Sequence, residues 1–284
     1  MRGLYSLIST ASLIVITLNL SFWGIGLLVL GLLKAGLPTT REWADARMDS
    51  AYRGAVAVND AWLRGVLGLE WDLPEIAVAR DEICIVVSNH ASWADILLVQ
   101  SVLVRQGPLL KFLTKRELLF IPVLGVIFWA FDFPLLRRRA RGSINDEARR
   151  AADAEALSSA CEAVRVRPAA LMNFAEGTRL TNEKRLASES PYRHLLAPRV
   201  GGFAALVEAL GDDLVSVVDV SLIYSESTSF WTFISGRAGP IGIEIERIPA
   251  ADVPRDREAL SGWLAELWRR KDERIDRVRT GRSF

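Results

Sequence analysis

The sequence predicts an α/β protein in which helices flank a mixed or parallel sheet, with an N-terminal membrane-embedded helix or helical hairpin. Two observations predict this class. A long uncharged apolar run lies near the N-terminus, and short β-branched segments alternate with helical ones further on. We expect residues 1–70 to form a membrane anchor and interfacial helix, and residues 71–284 to form one catalytic domain.

Composition limits the classes of function. Half of the 284 residues are hydrophobic, which is a high fraction for a cytosolic protein. The net charge is +1, so we do not expect a nucleic-acid partner. The two cysteines, Cys84 and Cys161, lack the spacing of zinc ligands or of a disulfide framework. We therefore expect no metal site, and a reducing, cytoplasmic environment fits the cysteine content.

Residues 7–33 contain no charged side chain, and about 20 apolar residues are enough to span the hydrocarbon core of a bilayer. A signal peptide would have a shorter apolar region after a basic start, whereas Arg2 is the only charged side chain before this run. We therefore expect a retained membrane segment. A bent or re-entrant hairpin stays open as an alternative to one straight span, because polar residues and glycines interrupt the run at Asn19, Ser21, Gly24 and Gly26.

The charges around this run predict its orientation. Basic residues follow it at Lys34, Arg41, Arg47 and Arg53. By the positive-inside rule the rest of the chain then faces the cytoplasm, in a bacterial-type inner membrane or an equivalent one. Residues 42–68 are predicted to form an amphipathic helix that could lie on the membrane, with tryptophans in the headgroup region. Ordinary core packing of these tryptophans is the alternative.

The remainder alternates predicted strands and helices. We expect strands at 83–88, 169–175, 214–224 and 241–248. We expect helices from an N-cap at Ser92 to about Val104, and at 146–166, 199–210 and 256–279. The apolar stretch 118–136 is expected to hold a membrane-contacting helix and a strand, with a second transmembrane helix as the alternative.

One of the two histidines, His90, directly follows the first predicted strand, and Asp95 lies five residues further on. In α/β folds, functional residues gather in loops at the carboxyl ends of strands. A histidine accepts a proton near neutral pH, and a carboxylate can fix its tautomer and stabilise its charged form. The pair could therefore activate a hydroxyl group of a bound substrate. A structural histidine beside a surface aspartate is the alternative.

Two other kinds of chemistry fit less well. The chain contains no G-x-S-x-G, so a nucleophile elbow is not expected. The H-x-x-x-x-D spacing lacks the paired histidines of a zincin helix, and His194 is the only further histidine. General-base catalysis by His90 is the remaining hypothesis.

The run from Asn89 to Asp95 resembles NHxSxxD, the first motif of the glycerolipid acyltransferases. The sequence FAEGTR at 174–179, about 80 residues further on, resembles the third motif of that family. Between them, residues 115–125 resemble the stretch K-x-E-L-x-x-x-P-x-x-G, and FPLLRR stands where the second motif ends on arginine. Residues 195–203, LLAPRVGGF, are similar to the segment after the third motif in the lysophospholipid branch. The matches cover roughly residues 84–225.

This resemblance implies acyl transfer from acyl-CoA or acyl-carrier protein to the hydroxyl group of a lysophospholipid. The acceptor is most often 1-acylglycerol-3-phosphate, which gives phosphatidate. The implied roles are general base for His90 and positioning of that base for Asp95. The acyl donor is a substrate, and no cofactor is implied. The implied partners are the phospholipid bilayer, the lysophospholipid acceptor and the acyl donor.

The acceptor phosphate requires cations, and the fork of an arginine side chain suits it. Arg179 is the first choice for this role. In the family, the turn of the third motif is associated with binding glycerol phosphate, and the Gly177 turn is also a candidate source of N–H donors to the reaction's oxyanion. The candidate acceptor-binding residues are Lys115, Arg137, Glu176, Gly177, Thr178 and Arg179.

Departures from the family pattern leave alternatives open. The spacing of the second motif is loose, so Arg138 or Arg139 could stand in for Arg137. The fourth motif usually has a proline, whereas residues 217–225 have none, and no residue is assigned there. The acceptor could also be glycerol-3-phosphate or a lysocardiolipin-like lysolipid. A catalytically inactive membrane protein that binds lipid is the alternative from another class.

Overall fold

The computed structural model describes residues 2–115, 119–131, 133, 135–136 and 146–281. Helices within these ranges are α1 (Arg2–Gly36), α2 (Arg41–Asp60), α3 (Ala94–Gln106), α4 (Pro122–Ala130), α5 (Asp146–Val166), α6 (Asn182–Ala187), α7 (Val200–Leu210), α8 (Phe230–Ile234) and α9 (Arg257–Gly281). The strands are β1 (Cys84–Ser88), β2 (Leu109–Phe112), β3 (Thr114–Lys115), β4 (Leu135–Leu136), β5 (Ala169–Phe174), β6 (Ser216–Tyr224) and β7 (Ile241–Pro249).

Five strands form one mixed sheet in the order β2-β5-β1-β6-β7, which confirms the predicted fold class. The first four are parallel to their neighbours, and β7 pairs antiparallel with β6 at the edge. Every residue of β1 and β6 is buried, because helices cover both faces of the sheet. Strands β3 and β4 form a separate two-stranded pair.

Alternate side chains of β1 enter two different cores. Val86 packs in a core with side chains from α1, α2, α3 and α4. Ile85 and Val87 pack in the other, with side chains from α5, α7 and α9. The parallel strands all end at one edge of the sheet, so the loops that follow β1, β5 and β6 come together there.

Helices α1 and α2 pack against each other as an antiparallel hairpin. The amide of Asn19 donates to the backbone oxygen of Ala55 (2.8 Å) and to Oδ1 of Asn59 (2.9 Å). Near the turn, Lys34 forms an ion pair of 2.9 Å with Asp45. Asn19 therefore pairs with α2, and α1 continues without interruption through the glycines that favoured a hairpin inside residues 7–33. By length and composition α1 is able to cross a membrane.

The N-terminal helices also belong to the same core as the sheet. Ile16 and Leu27 of α1 are buried in the cluster that contains Val86 of β1. Met48 of α2 is fully buried there as well. The predicted domain boundary at residue 70 stays a prediction, but apolar packing extends across it.

The stretch 118–136 forms a helix and a short strand, as expected, over the part that the structure describes. Helix α4 has nine residues, too few to cross a bilayer. The predicted N-cap at Ser92 is wrong by one residue, because Trp93 occupies that position. The backbone N–H of Ser92 donates to the Asp95 carboxylate, which draws Ser92 into the preceding turn. Strand β2 was not predicted; it is only four residues long.

Candidate active site

Strand β1 ends at Ser88 and places His90 at the carboxyl edge of the sheet. Nδ1 of His90 lies 2.8 Å from Oδ2 of Asp95, and the Asp95 side chain is fully buried. The same Oδ2 accepts hydrogen bonds from the backbone N–H groups of Ala91 (2.6 Å) and Ser92 (2.9 Å). Because Asp95 occupies Nδ1, the opposite nitrogen, Nε2, is the one positioned to accept a proton from a substrate.

Hydrogen bonds to two other segments fix the position of the loop that carries His90. The side chain of Asn89 donates to the backbone oxygen of Leu222 and accepts from its N–H, both at 2.9 Å. The backbone oxygen of His90 accepts from the N–H of Leu180 at 2.7 Å. These bonds join the first motif to β6 and to the segment that follows the third motif.

The register of the sheet brings the first and third motifs together. Ser88 is paired with Phe174 in the parallel β1–β5 ladder, so both strands end at the same level. The imidazole of His90 stacks on the ring of Phe174, with centroids 4.0 Å apart and planes 17° apart. His90 is therefore in direct contact with the FAEGTR segment.

The turn after β5 depends on Gly177, which has φ of +67°, a conformation that favours glycine. Its N–H donates to the backbone oxygen of Phe174 at 2.9 Å. The N–H of Gly177 is therefore already used, and donation to an oxyanion from this turn stays a prediction. The hydroxyl of Thr178 accepts from Nζ of Lys184 at 2.6 Å, and Nζ also donates to the backbone oxygen of Arg179 at 3.0 Å.

Arg179 lies next to the histidine loop. Its guanidinium carbon is 4.9 Å from the centroid of the Trp93 ring, a cation–π contact. Trp93 is three residues beyond His90 and its side chain is half exposed. In the described part of the chain Arg179 forms no ion pair with a carboxylate, so its N–H groups face solvent and are able to bind an anion.

Glu176 is buried, with 1% of its surface exposed. Burial raises its pKa to about 8, although the backbone of His90 and of Leu196 and the charge of Lys271 lower it in part. Neither carboxylate oxygen makes a well-formed hydrogen bond within the described residues. Its assignment to acceptor binding stays a prediction, and its burial favours a role in supporting the turn.

The side chains of the last two predicted binding residues, Lys115 and Arg137, lie outside what the structure describes. The backbone of Lys115 pairs with Leu136 in the β3–β4 ladder, next to the second-motif arginines in sequence. Nothing is described of the Lys115 side chain, and Arg137 to Arg139 lie outside the described residues. The structure therefore brings together His90, Asp95 and the 174–179 turn, and their roles stay predictions.

Tyr224, the last residue of β6, was missed by sequence reasoning. Its hydroxyl group donates a hydrogen bond to Oδ1 of Asp95. Burial and the negative charge of Asp95 raise the pKa of Tyr224 well above 10, which keeps the donor protonated. The sequence feature that could have identified Tyr224 is its position at the carboxyl end of a predicted strand, at the edge of the sheet where His90 was also predicted.

Metal-binding groups are absent from the described ranges: no three His, Cys, Asp or Glu side chains there cluster closely enough to hold an ion. Cys84 and Cys161 are buried free thiols. Burial raises the pKa of both, so neither side chain is prepared to act as a nucleophile.

Two family models match the chain. A family model described as Acyltransferase matches residues 74–225, and one described as Acyltransferase C-terminus matches residues 232–284. The chain resembles the 1-acyl-sn-glycerol-3-phosphate acyltransferase delta of Mus musculus, with 28% identity over 205 residues, which are 67% of this chain and 52% of that protein.

Two further proteins extend the comparison. The 1-acyl-sn-glycerol-3-phosphate acyltransferase 3 of Arabidopsis thaliana is 25% identical over 79% of this chain and 61% of that protein. The chain thus spans only about half to three fifths of the length of the curated relatives it matches. The crystal structure of the 1-acyl-sn-glycerophosphate acyltransferase PlsC from Thermotoga maritima shares the fold, with a TM-score of 0.63 over 97% of this chain and 99% of that one, at 20% identity.

Proposed function

Because the chain belongs to the acyltransferase family, whose model matches residues 74–225, we propose that it is a membrane-bound O-acyltransferase. The proposed reaction moves a fatty acyl group from acyl-CoA or acyl-carrier protein to the hydroxyl group of 1-acylglycerol-3-phosphate and yields phosphatidate. The observation that carries this proposal is the 2.8 Å contact between His90 Nδ1 and the buried Asp95 carboxylate, beside the 174–179 turn.

In the proposed mechanism, Nε2 of His90 removes the proton of the acceptor hydroxyl while its oxygen attacks the thioester carbonyl. The Asp95 carboxylate accepts the hydrogen bond of Nδ1–H and stabilises the imidazolium that forms. The tetrahedral intermediate then collapses, the carbon–sulfur bond breaks, and His90 returns its proton to the departing thiolate. No acyl-enzyme forms, which agrees with the buried, unreactive cysteines.

Arg179 is the proposed ligand for the acceptor phosphate. Trp93 holds the guanidinium beside the histidine loop, and the planar fork matches two phosphate oxygens. Lys115 and Arg137 are proposed to add positive charge to the same site. Arg179→Ala is expected to raise the KM for the acceptor with a smaller effect on the KM for the acyl donor.

The exposed face of α1 is the proposed membrane contact. Large apolar side chains are exposed along one stripe of the helix, spaced at four or seven residues, at Leu7, Ile14, Leu18, Ile25 and Leu32. Lysophospholipid and product reside in the bilayer, whereas the donor is soluble, so a site next to the membrane surface reaches both. The basic residues after the apolar run favour a cytoplasmic catalytic domain.

Purified full-length protein in mixed micelles, with labelled acyl-CoA and a panel of lysolipid acceptors and glycerol-3-phosphate, tests the reaction and its acceptor. His90→Ala should lower the rate by about 10²-fold or more. Arg277→Ala, at an exposed position of α9, is the control and should retain the wild-type rate. Equal rates for wild type and His90→Ala would contradict the proposal. Lysolipid binding without turnover by the wild type would favour the inactive lipid-binding alternative.

A further inference from the structure

A cavity of about 500 Å³ adjoins the loop that carries His90. It is bounded by the end of β6, the end of α9 and the segment 180–194. Asn89 and Ala91, the two neighbours of His90 in sequence, form part of its wall, whereas Arg179 and Trp93 do not. The cavity and the proposed acceptor site therefore have different lining residues, but both adjoin the catalytic loop.

Three arginines from different segments line this cavity: Arg185 of α6, Arg193, and Arg279 of α9. Oδ1 of Asp276 contacts Nη1 of Arg193 at 2.7 Å, so that charge is partly compensated. Glu226 is the acidic residue in the wall. Arg185 and Arg279 form no ion pair within the described residues, which leaves the cavity with a net positive charge.

Arg279 is held in a fixed orientation. Its Nε donates to the backbone oxygen of Tyr224 at 3.0 Å, and its Nη1 donates to Nδ1 of His194 at 3.2 Å. The other ring nitrogen of His194 lies 2.9 Å from Oδ1 of Asp276. These contacts leave Nη2 of Arg279 for a ligand, and a guanidinium oriented in advance loses little entropy on binding a phosphate.

We propose that this cavity binds a phosphate group of the acyl donor, with Arg185 and Arg279 as its main ligands. The inference rests on the proposed function, in which both substrates carry organic phosphate and so require two cationic sites. Arg179 serves the acceptor, and the cavity serves the donor. From the cavity, the arm of the acyl donor that carries the thioester extends past Ala91 to His90.

Direct binding of CoA to the full-length protein in detergent micelles tests this assignment without requiring turnover. Arg185→Gln and Arg279→Gln are placed on different segments, so that a local folding defect in one does not remove the test. Each should raise the Kd for CoA about tenfold, the effect of losing one hydrogen bond to a charged group. Arg277→Gln, two residues from Arg279 and outside the cavity wall, should leave the Kd unchanged.

Steady-state kinetics then distinguish the donor phosphate from the acceptor phosphate. The two cavity variants should raise the KM for acyl-CoA by a similar factor and leave the KM for the lysolipid within about twofold. A rise confined to the acceptor KM would assign the cavity to the acceptor and overturn the proposal. So would unchanged CoA affinity in both variants.

A third measurement tests whether the acyl donor is a CoA thioester or a carrier-protein thioester. If the wild type binds CoA weakly, 4′-phosphopantetheine replaces it as the probe, with the same variants and the same expected loss. Absence of binding of both probes to the wild type would overturn the proposal. CoA binding that depends on Arg185 and Arg279, in a protein that acylates no lysolipid, would refute the proposed function alone.

Discussion

The hydroxyl group of Tyr224 donates a hydrogen bond to one oxygen of Asp95, while the other oxygen contacts Nδ1 of His90. The carboxylate is therefore shared between a phenol and an imidazole, which compete for its negative charge. Tyr224 also lines the cavity proposed for the acyl donor, but its hydroxyl group is bonded to Asp95 and does not contact the proton that is transferred. It acts through Asp95, as a positioning residue that also limits how strongly Asp95 favours a protonated His90.

We expect Tyr224→Phe to shift the acidic limb of the pH dependence of kcat/KM to higher pH. Loss of the donor leaves more negative charge facing His90, which favours its protonated form. The rate at neutral pH should fall a few-fold, since the geometry around Oδ2 is kept. Tyr192→Phe, at a partly exposed phenol bonded to the Ala265 carbonyl, is the control. Superimposable profiles for wild type and Tyr224→Phe would rule out this role.

Glu176 predicts a pH dependence of stability. Burial raises its pKa from 4.5 to about 8, so between these values the folded state binds more protons than the unfolded one. Ionisation of Glu176 therefore lowers the free energy of unfolding. This loss is absent below about pH 4.5, grows as the pH rises, and is complete above about pH 8. Glu176→Gln cannot ionise, so its unfolding temperature in detergent should fall less than that of wild type between pH 5 and 8. If the unfolding temperatures of wild type and Glu176→Gln changed equally with pH, the assignment of a buried, mostly neutral carboxyl group would be wrong.

Gly177→Ala should destabilise the protein by about 1–2 kcal/mol and reduce activity, because an alanine at φ of +67° is strained. The added Cβ would also lie 3.1 Å from Cδ of Arg199. Gly201→Ala is the matched control: it lies in α7, and its Cβ would meet nothing within 4 Å. That substitution should be neutral or stabilising, since alanine favours helix. Thermal unfolding and acyl transfer of both variants check the prediction, and equal effects would refute it.

The exposed stripe of α1 predicts a membrane-binding phenotype that is separate from folding. Leu18→Glu and Ile25→Glu place charges on side chains that are already more than half exposed, so thermal stability in detergent should change little. Sedimentation with phospholipid vesicles should decrease, because a charged group resists entry into the hydrocarbon region. Val166→Glu, at the exposed end of α5, is the control for added charge alone. Unchanged vesicle binding of the α1 variants would place the contact elsewhere.

The sheet was predictable from sequence to a large extent because its central strands are short, apolar and bounded, and the parallel ladder follows from alternation with helices. That ladder also explains why the first and third motifs meet: Ser88 and Phe174 are register partners. The proximity of His90 and the FAEGTR turn was expected from the family resemblance, whereas their stacking contact depends on side-chain packing that no local pattern specifies.

Other features depend on contacts between distant segments. Tyr224 is 129 positions from Asp95, and no spacing rule connects them. Asn19 was interpreted as an interruption of an apolar run, but its partner Asn59 is 40 positions away in α2. Glu176 was assigned to ligand binding from its motif, and the sequence does not show that it is buried within the charge field of Lys271 from α9.

Ile16 and Leu27 are buried in the same apolar core as the sheet, so α1 is no flexible tether. If α1 inserts as proposed, the depth to which it sinks fixes the height of the imidazole above the lipid headgroups. Bilayer thickness and headgroup packing would then change turnover by changing that height, without altering any residue that contacts the substrate.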